Sequence, residues 1–328
     1  MATADQLKAL IKSHAEGDET RFYAIAMQMA AQAARTGHSK LAQELRQLVD
    51  ELRARVGRER RADVPPVPLV QPRGELAGLL TVGYSKSRLS DMALDTEVRR
   101  RIERVLVEQR ERGRLREHGF GPMRRLLLVG PPGTGKTMTA GVLAGELGLP
   151  LFTIQLHALI TKFMGETAAK LRLIFDAVAQ NRAVYLFDEF DALGSDRASK
   201  NDVGEIRRVL NSFLQFLEQD ASESLVLAAT NHPALLDRAL FRRFDEVIEY
   251  RLPASDVAEQ VMRARLALLD TSAVRWSEAA SAAADLSHGD IVRACEQAAK
   301  NVILSHRGAM DTPTLVEALA DRRAAHST

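Results

Sequence analysis

Apolar positions along this chain follow two rhythms. In the first 56 residues they recur every three or four: Leu7, Leu10 and Ile11, then Phe22, Ile25, Ala26 and Met29, then Leu41, Leu45, Leu48 and Leu52. That spacing places each set on one face of a helix. Gly17-Asp18 and Thr36-Gly37-His38-Ser39 separate the sets, so residues 1–56 are expected to form a module of three short helices. Arg58-Glu59-Arg60-Arg61 and then Pro65, Pro66, Pro68 and Pro72 cannot propagate a helix, and residues 57–82 read as a linker. One long charged helix is expected over residues 94–118, with Val98, Ile102, Val105 and Leu106 inward.

The second rhythm is continuous. Residues 126–129, 151–155, 183–187 and 225–229 are short, nearly unbroken apolar runs with helical patterns between them. Runs of this kind fit strands covered on both faces, and their alternation with helices predicts a parallel sheet with right-handed crossovers. Beyond Pro253 the pattern is helical only, over residues 257–269, 291–305 and 314–321, so an all-α unit is expected over residues 253–328. No internal repeat is visible.

Composition narrows the partners more than the fold. Lys plus Arg total 45 against 43 Asp plus Glu, a formal charge of +2, so no chain-wide field calls for nucleic acid. The single cysteine, Cys295, excludes an intramolecular disulfide or a Cys-rich metal site and is expected to be a small buried hydrophobe. The opening MATADQLKAL has no basic stretch leading into an apolar one, and no segment approaches the roughly 18 apolar residues of a spanning helix. The expectation is a soluble cytoplasmic protein with no membrane contact. Aromatic residues make up only 5%, which favours a helix-rich α/β architecture.

Chemistry enters with Gly130-Pro131-Pro132-Gly133-Thr134-Gly135-Lys136-Thr137, a full G-x-x-x-x-G-K-[ST] pattern between an expected strand and an expected helix that includes Met138. In such a loop the glycines let successive N–H groups wrap phosphates, the lysine supplies charge to the β and γ oxygens, and the threonine hydroxyl ligates Mg²⁺. ATP with Mg²⁺ is the implied ligand. Farther along, the 183–187 run delivers Asp188 and Glu189 at its carboxyl end, where open α/β sheets bind ligands. Asp188 is assigned to hold Mg²⁺ through its water shell, and Glu189 to activate the attacking water. Asn231, after the 225–229 run, is placed to hydrogen-bond that water or the γ-phosphate.

Taken together, GPPGTGKT, LFDEFDALGSDR, LAATNHPALLDRALFRRFDEVIEY and LSHGDI resemble the AAA family of protein-unfolding and protein-remodelling ATPases, over roughly residues 83–328. The resemblance implies a nucleotide domain over 83–252 with a five-stranded parallel sheet, a helical lid over 253–328 and a homo-oligomer, usually a hexamer. It also implies that Arg242 or Arg243 reaches a neighbour's nucleotide as an arginine finger; the pair is adjacent here, whereas familiar members separate two fingers, so which one acts stays open. Asp191 is expected at a contact between subunits. Phe163, Met164 and Gly165 resemble the loop that grips polypeptide in the central pore. Lys200-Asn201-Asp202 would form a second such loop, with Glu205, Arg207 and Arg208 facing a neighbour. In the lid, Ser287-His288-Gly289-Asp290 occupies a turn where other branches carry an arginine, so Gly289 is expected beside the adenine and His288 as a helix-entry residue. Met138 completes the expected nucleotide contacts.

The leading functional expectation is an ATP-driven remodeller or unfoldase whose 1–56 module recruits a protein client. A narrower version, from the short layout, is an ATPase working beside a separately encoded subtilisin-like protease in bacterial plasmid-stability or defence settings. The alternatives are a nucleic-acid loader, which requires salt-sensitive DNA binding, and a scaffold switched by ATP binding alone. Replacing Lys136 with Ala should abolish ATP binding. Glu189→Gln should keep binding but lower turnover by roughly 10²-fold or more, read by phosphate release against a fluorescent-nucleotide titration.

Overall fold

The computed structural model describes residues 72, 74–159, 164–193, 202–235, 238–305 and 308–325. The expected N-terminal module and the linker as far as residue 71 lie outside them, as do Phe163, Lys200 and Asn201. In order, the elements are β1 (Leu80–Gly83), α1 (Thr96–Arg110), α2 (Arg112–Glu117), β2 (Arg125–Val129), α3 (Lys136–Leu147), β3 (Leu151–Ile154), α4 (Leu156–Leu159) and α5 (Met164–Gln180). Then follow β4 (Val184–Phe187), α6 (Asp202–Gln219), β5 (Leu225–Thr230), α7 (Arg238–Phe241) and β6 (Glu246–Glu249). The region expected to form the lid contains α8 (Ser255–Arg265), β7 (Asp270–Ala273), α9 (Trp276–Ala282), α10 (His288–Leu304), β8 (Ala309–Asp311) and α11 (Thr312–Ala324).

The main sheet has six strands in the order β1-β3-β4-β5-β2-β6. Five of them, β3-β4-β5-β2-β6, run parallel as expected. The sixth corrects the expectation: β1 pairs antiparallel with β3 at the edge, Leu80 opposite Ile154 and Gly83 opposite Leu151. Residues 80–82, read as linker, are therefore part of the sheet. Four residues, of which only Leu80 is buried, are too few to show a strand pattern against the prolines before them.

The unbroken apolar runs have a direct structural cause. Alternate residues of β2, β4 and β5 enter two cores on opposite faces of the sheet. Leu127, Tyr185, Phe187, Val226 and Ala228 pack with α5 and α6. Leu126, Leu128, Val184, Leu186, Leu227 and Ala229 pack with α1 and α3. The first core is aromatic: Phe213 sits 5.0 Å from Phe187, 4.7 Å from Phe190 and 5.7 Å from Phe175, ring centre to ring centre. The buried Tyr185 hydroxyl donates to the carbonyls of Ala177 and Asn181 at 2.9 and 3.1 Å, so its polar end is satisfied.

Helix α1 begins at Asp95, whose carboxylate accepts from the Glu97 N–H at 2.8 Å. It stops at Arg110 instead of running to residue 118. Glu111 adopts φ −93°, ψ 16° between α1 and α2, and Gly113, a poor helix former, follows it. The lid is also not purely helical: β7 and β8 pair in parallel, Asp270 opposite Ala309. Its core includes Cys295, fully buried, whose thiol pKa burial pushes up to about 12. Among the described residues no helix is long and apolar enough to cross a membrane.

Phe213 joins α6 to the strand end that carries the acidic pair. Phe213→Ala should lower unfolding stability by about 3–5 kcal/mol, measured by urea denaturation of the nucleotide-free protein.

Candidate active site

Three neighbouring strands, β4, β5 and β2, release their chains at the same edge of the sheet. Gly130 follows β2, Asp188 follows β4 and Asn231 follows β5. The Gly130 N–H donates to the Thr230 carbonyl at 3.3 Å, so the phosphate loop starts tied to the end of β5. The loop then turns through Gly133 at φ 74° and Gly135 at φ 102°, left-handed conformations that strain any other residue. A Cβ on Gly133 would lie 2.4 Å from the Ser287 hydroxyl oxygen, so the lid already fills that space. Thr134 braces the turn from inside, its hydroxyl donating to the Pro131 carbonyl at 2.8 Å, while Pro131 and Pro132 are exposed.

Lys136, the first residue of α3, is buried, and its ammonium donates to the Gly130 and Pro131 carbonyls, both at 2.7 Å. Burial lowers its pKa; the carboxylates of Asp188 and Asp191 oppose that shift. Next to it, the Thr137 hydroxyl donates to Asp188 Oδ2 at 2.7 Å. The other carboxylate oxygen of Asp188 accepts from the Glu189 N–H at 3.0 Å. Glu189 itself is exposed and holds φ 51°. Met138 is 43% exposed beside the loop, free to cover a ligand.

These residues fit a nucleoside triphosphate with Mg²⁺. Glycines in left-handed conformations form the kind of backbone concavity that binds anions, at the N-terminus of a 12-residue helix. A hydroxyl and a carboxylate already at hydrogen-bond distance are the oxygen donors a hard divalent cation takes.

The lid meets the loop directly: the Gly289 N–H donates to the Gly133 carbonyl at 2.9 Å. His288 opens α10 as expected, with Ser287 capping by accepting from the Asp290 N–H at 3.2 Å. Both ring nitrogens of His288 are buried without a hydrogen-bond partner of good geometry. Burial lowers the His288 pKa, opposed by the facing backbone of Ala93.

Arg242 and Arg243, after α7, are both exposed, and Arg243 is ion-paired with Glu218 of α6. Among the described residues no hydrogen bond or ion pair joins either arginine to Lys136, Thr137, Asp188 or Glu189. Met164 and Gly165 open α5, and Glu205, Arg207 and Arg208 lie in α6. Asp191, expected at a subunit contact, hydrogen-bonds within its own chain: its Oδ1 accepts from the Thr230 hydroxyl at 2.9 Å and from the Asn231 N–H at 3.1 Å. Nothing in the sequence singles out Thr230, because it looks like the last residue of an apolar run.

The family model described as ATPase family associated with various cellular activities (AAA) matches residues 126–252, from β2 through both arginines. The uncharacterized AAA family ATPase y4kL of Sinorhizobium fredii is 31% identical over 323 residues, covering 98% of this chain and 96% of that protein. The chain belongs to the AAA family. This AAA ATPase hydrolyses ATP. It is also 33% identical over 260 residues to the ATP-dependent zinc metalloprotease FtsH 1 of Methylacidiphilum infernorum, covering 74% of the chain but only 41% of that relative. FtsH 2 of Bdellovibrio bacteriovorus is 36% identical over 215 residues, covering 59% of the AAA chain and 34% of the relative.

Gly133→Ala should weaken ATP binding by about tenfold or more, because the left-handed backbone is strained with a Cβ and the Ser287 contact must open. Isothermal titration with non-hydrolysable ATP analogue checks this.

Proposed function

We propose that this AAA ATPase is the subunit of a ring motor that remodels or unfolds a protein client. The supporting observation is the similarity, across 74% of the chain, to a relative named as an ATP-dependent protease, confined to 41% of that relative. The 328 residues contain no H-E-x-x-H, the zinc-binding pattern of such peptidases, so the likeness concerns the ATPase part of those relatives.

In this reading the backbone of Gly130–Thr137 with Met138 holds the nucleotide, Lys136 balances the β and γ charge, and Gly289 closes the lid over the base. Thr137 holds Mg²⁺ directly and Asp188 through water. When bound, the ion withdraws charge from the phosphate oxygens. Glu189 accepts the proton of the attacking water and Asn231 orients that water. Arg242 or Arg243 serves a neighbouring subunit's site, consistent with their exposure and with the absence, among the described residues, of any bond to the chain's own acidic pair. Phe163, with Met164 and Gly165, grips the client by sequence-indifferent apolar contact. The 1–56 module recruits it, and six subunits complete the ring.

Unfolded casein tests this. It should raise the wild-type ATP turnover rate about twofold or more, and in Phe163→Ala the ratio of stimulated to basal rate should fall toward one. Stimulation by duplex DNA instead, lost on raising salt, would replace the protein client with nucleic acid. Neither response, in a preparation that turns over ATP, would contradict both.

A further inference from the structure

Glu189 and Asp285 are the non-glycine residues with positive φ among the described residues. At Glu189 the conformation falls on the group that must meet the attacking water. A residue stays in a strained region only when its surroundings over-determine it, so the constraints on both sides of Glu189 matter. On the N-terminal side Phe187 is locked in the ladder opposite Ala228, and Asp188 is bonded to Thr137 and to the Glu189 N–H. On the C-terminal side Phe190 is fully buried, its ring centre 4.7 Å from Phe213. Asp191 follows, with one carboxylate oxygen accepting from both the Thr230 hydroxyl and the Asn231 N–H.

Thr230 is the other half of this arrangement. It is fully buried at the end of β5, the strand between those bearing the phosphate loop and the acidic pair. Its carbonyl accepts from Gly130 at 3.3 Å, and its hydroxyl oxygen, which donates to Asp191, also accepts from the His232 N–H at 3.0 Å. A single residue thus ties the start of the phosphate loop, the acidic turn and the Asn231 turn together. We propose that Asp191 and Thr230 form a positioning pair that holds Glu189 in its left-handed conformation and fixes Asn231 relative to it, without contacting the nucleotide.

Charge supplies a competing explanation, since Asp191 also favours the protonated form of Lys136. The two roles separate by substitution. Asn at position 191 keeps the acceptor oxygen and loses the charge; Ala loses both; Thr230→Val keeps the shape and loses the hydroxyl.

The test measures single-turnover hydrolysis at saturating ATP, together with the Kd of a fluorescent ATP analogue, on the full chain without client. Asp191→Ala and Thr230→Val should each slow hydrolysis by roughly 30- to 100-fold while the Kd changes by less than about threefold, the pattern of a misplaced catalytic group. Asp191→Asn should recover to within about fivefold of wild type, and the defect of the Asp191→Ala/Thr230→Val double variant should fall well short of the product of the two single defects, because the bond between the pair is lost in each of them. The proposal is overturned if Asp191→Asn is as slow as Asp191→Ala, if Kd rises in step with the rate loss, or if the double variant multiplies the defects. Should Asp191→Ala fail to fold, Asp191→Asn and Thr230→Val decide alone: fast with Asn and slow with Val supports the pair, and any other combination refutes it. Because ATP alone is the substrate, the outcome is independent of what the motor acts on.

Discussion

Parallel pairing of β2 and β4 on either side of β5 is the constraint on which the site depends. Parallel strands end in the same direction, so the loops after them share one edge of the sheet. Val129 pairs with Thr230 and Phe187 with Ala228, which sets the phosphate loop level with the end of β5 and starts the acidic turn beside it. From that register the 2.7 Å contact between Thr137 and Asp188, 51 residues apart, follows with little further adjustment. The two cores on the faces of the sheet hold the register, because a slip of one residue would exchange their memberships.

Function sits where this scaffold tolerates unfavourable conformations. Lys136 is a buried cation whose ammonium binds carbonyls of its own loop. Glu189 has a positive φ and leads into a fully buried phenylalanine. Gly133 is pressed against the lid through Ser287 and Gly289. The phosphate loop and lid therefore touch before any ligand is considered, and a change at the loop has a short mechanical route into α10. Through such a shared contact a change at the nucleotide can be passed to α10.

What the sequence revealed and concealed follows from how local each signal is. The phosphate loop, the acidic pair and the four apolar runs are contiguous, and each carries its meaning within eight residues or fewer. Strand β1 is concealed by shortness, and β6 by glutamates at both ends of Glu246–Glu249. The pairing of β7 with β8 joins segments separated by α9 and α10, which no local pattern announces. The bond between Thr230 and Asp191 is concealed for a related reason. The two residues belong to different segments, 39 positions apart, and nothing local links the threonine to the aspartate until the fold brings them within 2.9 Å.

The proposed catalytic roles require Thr137 and Asp188 to act as one cation site in the presence of nucleotide. ATP-dependent Mn²⁺ binding, followed by electron paramagnetic resonance, measures this directly. Thr137→Val and Asp188→Asn should each weaken the ion by roughly 10- to 100-fold, while Glu189→Gln leaves its affinity near that of the wild type. Wild-type affinity in Asp188→Asn, or an equal loss in Glu189→Gln, would contradict the assignment of roles within the acidic pair.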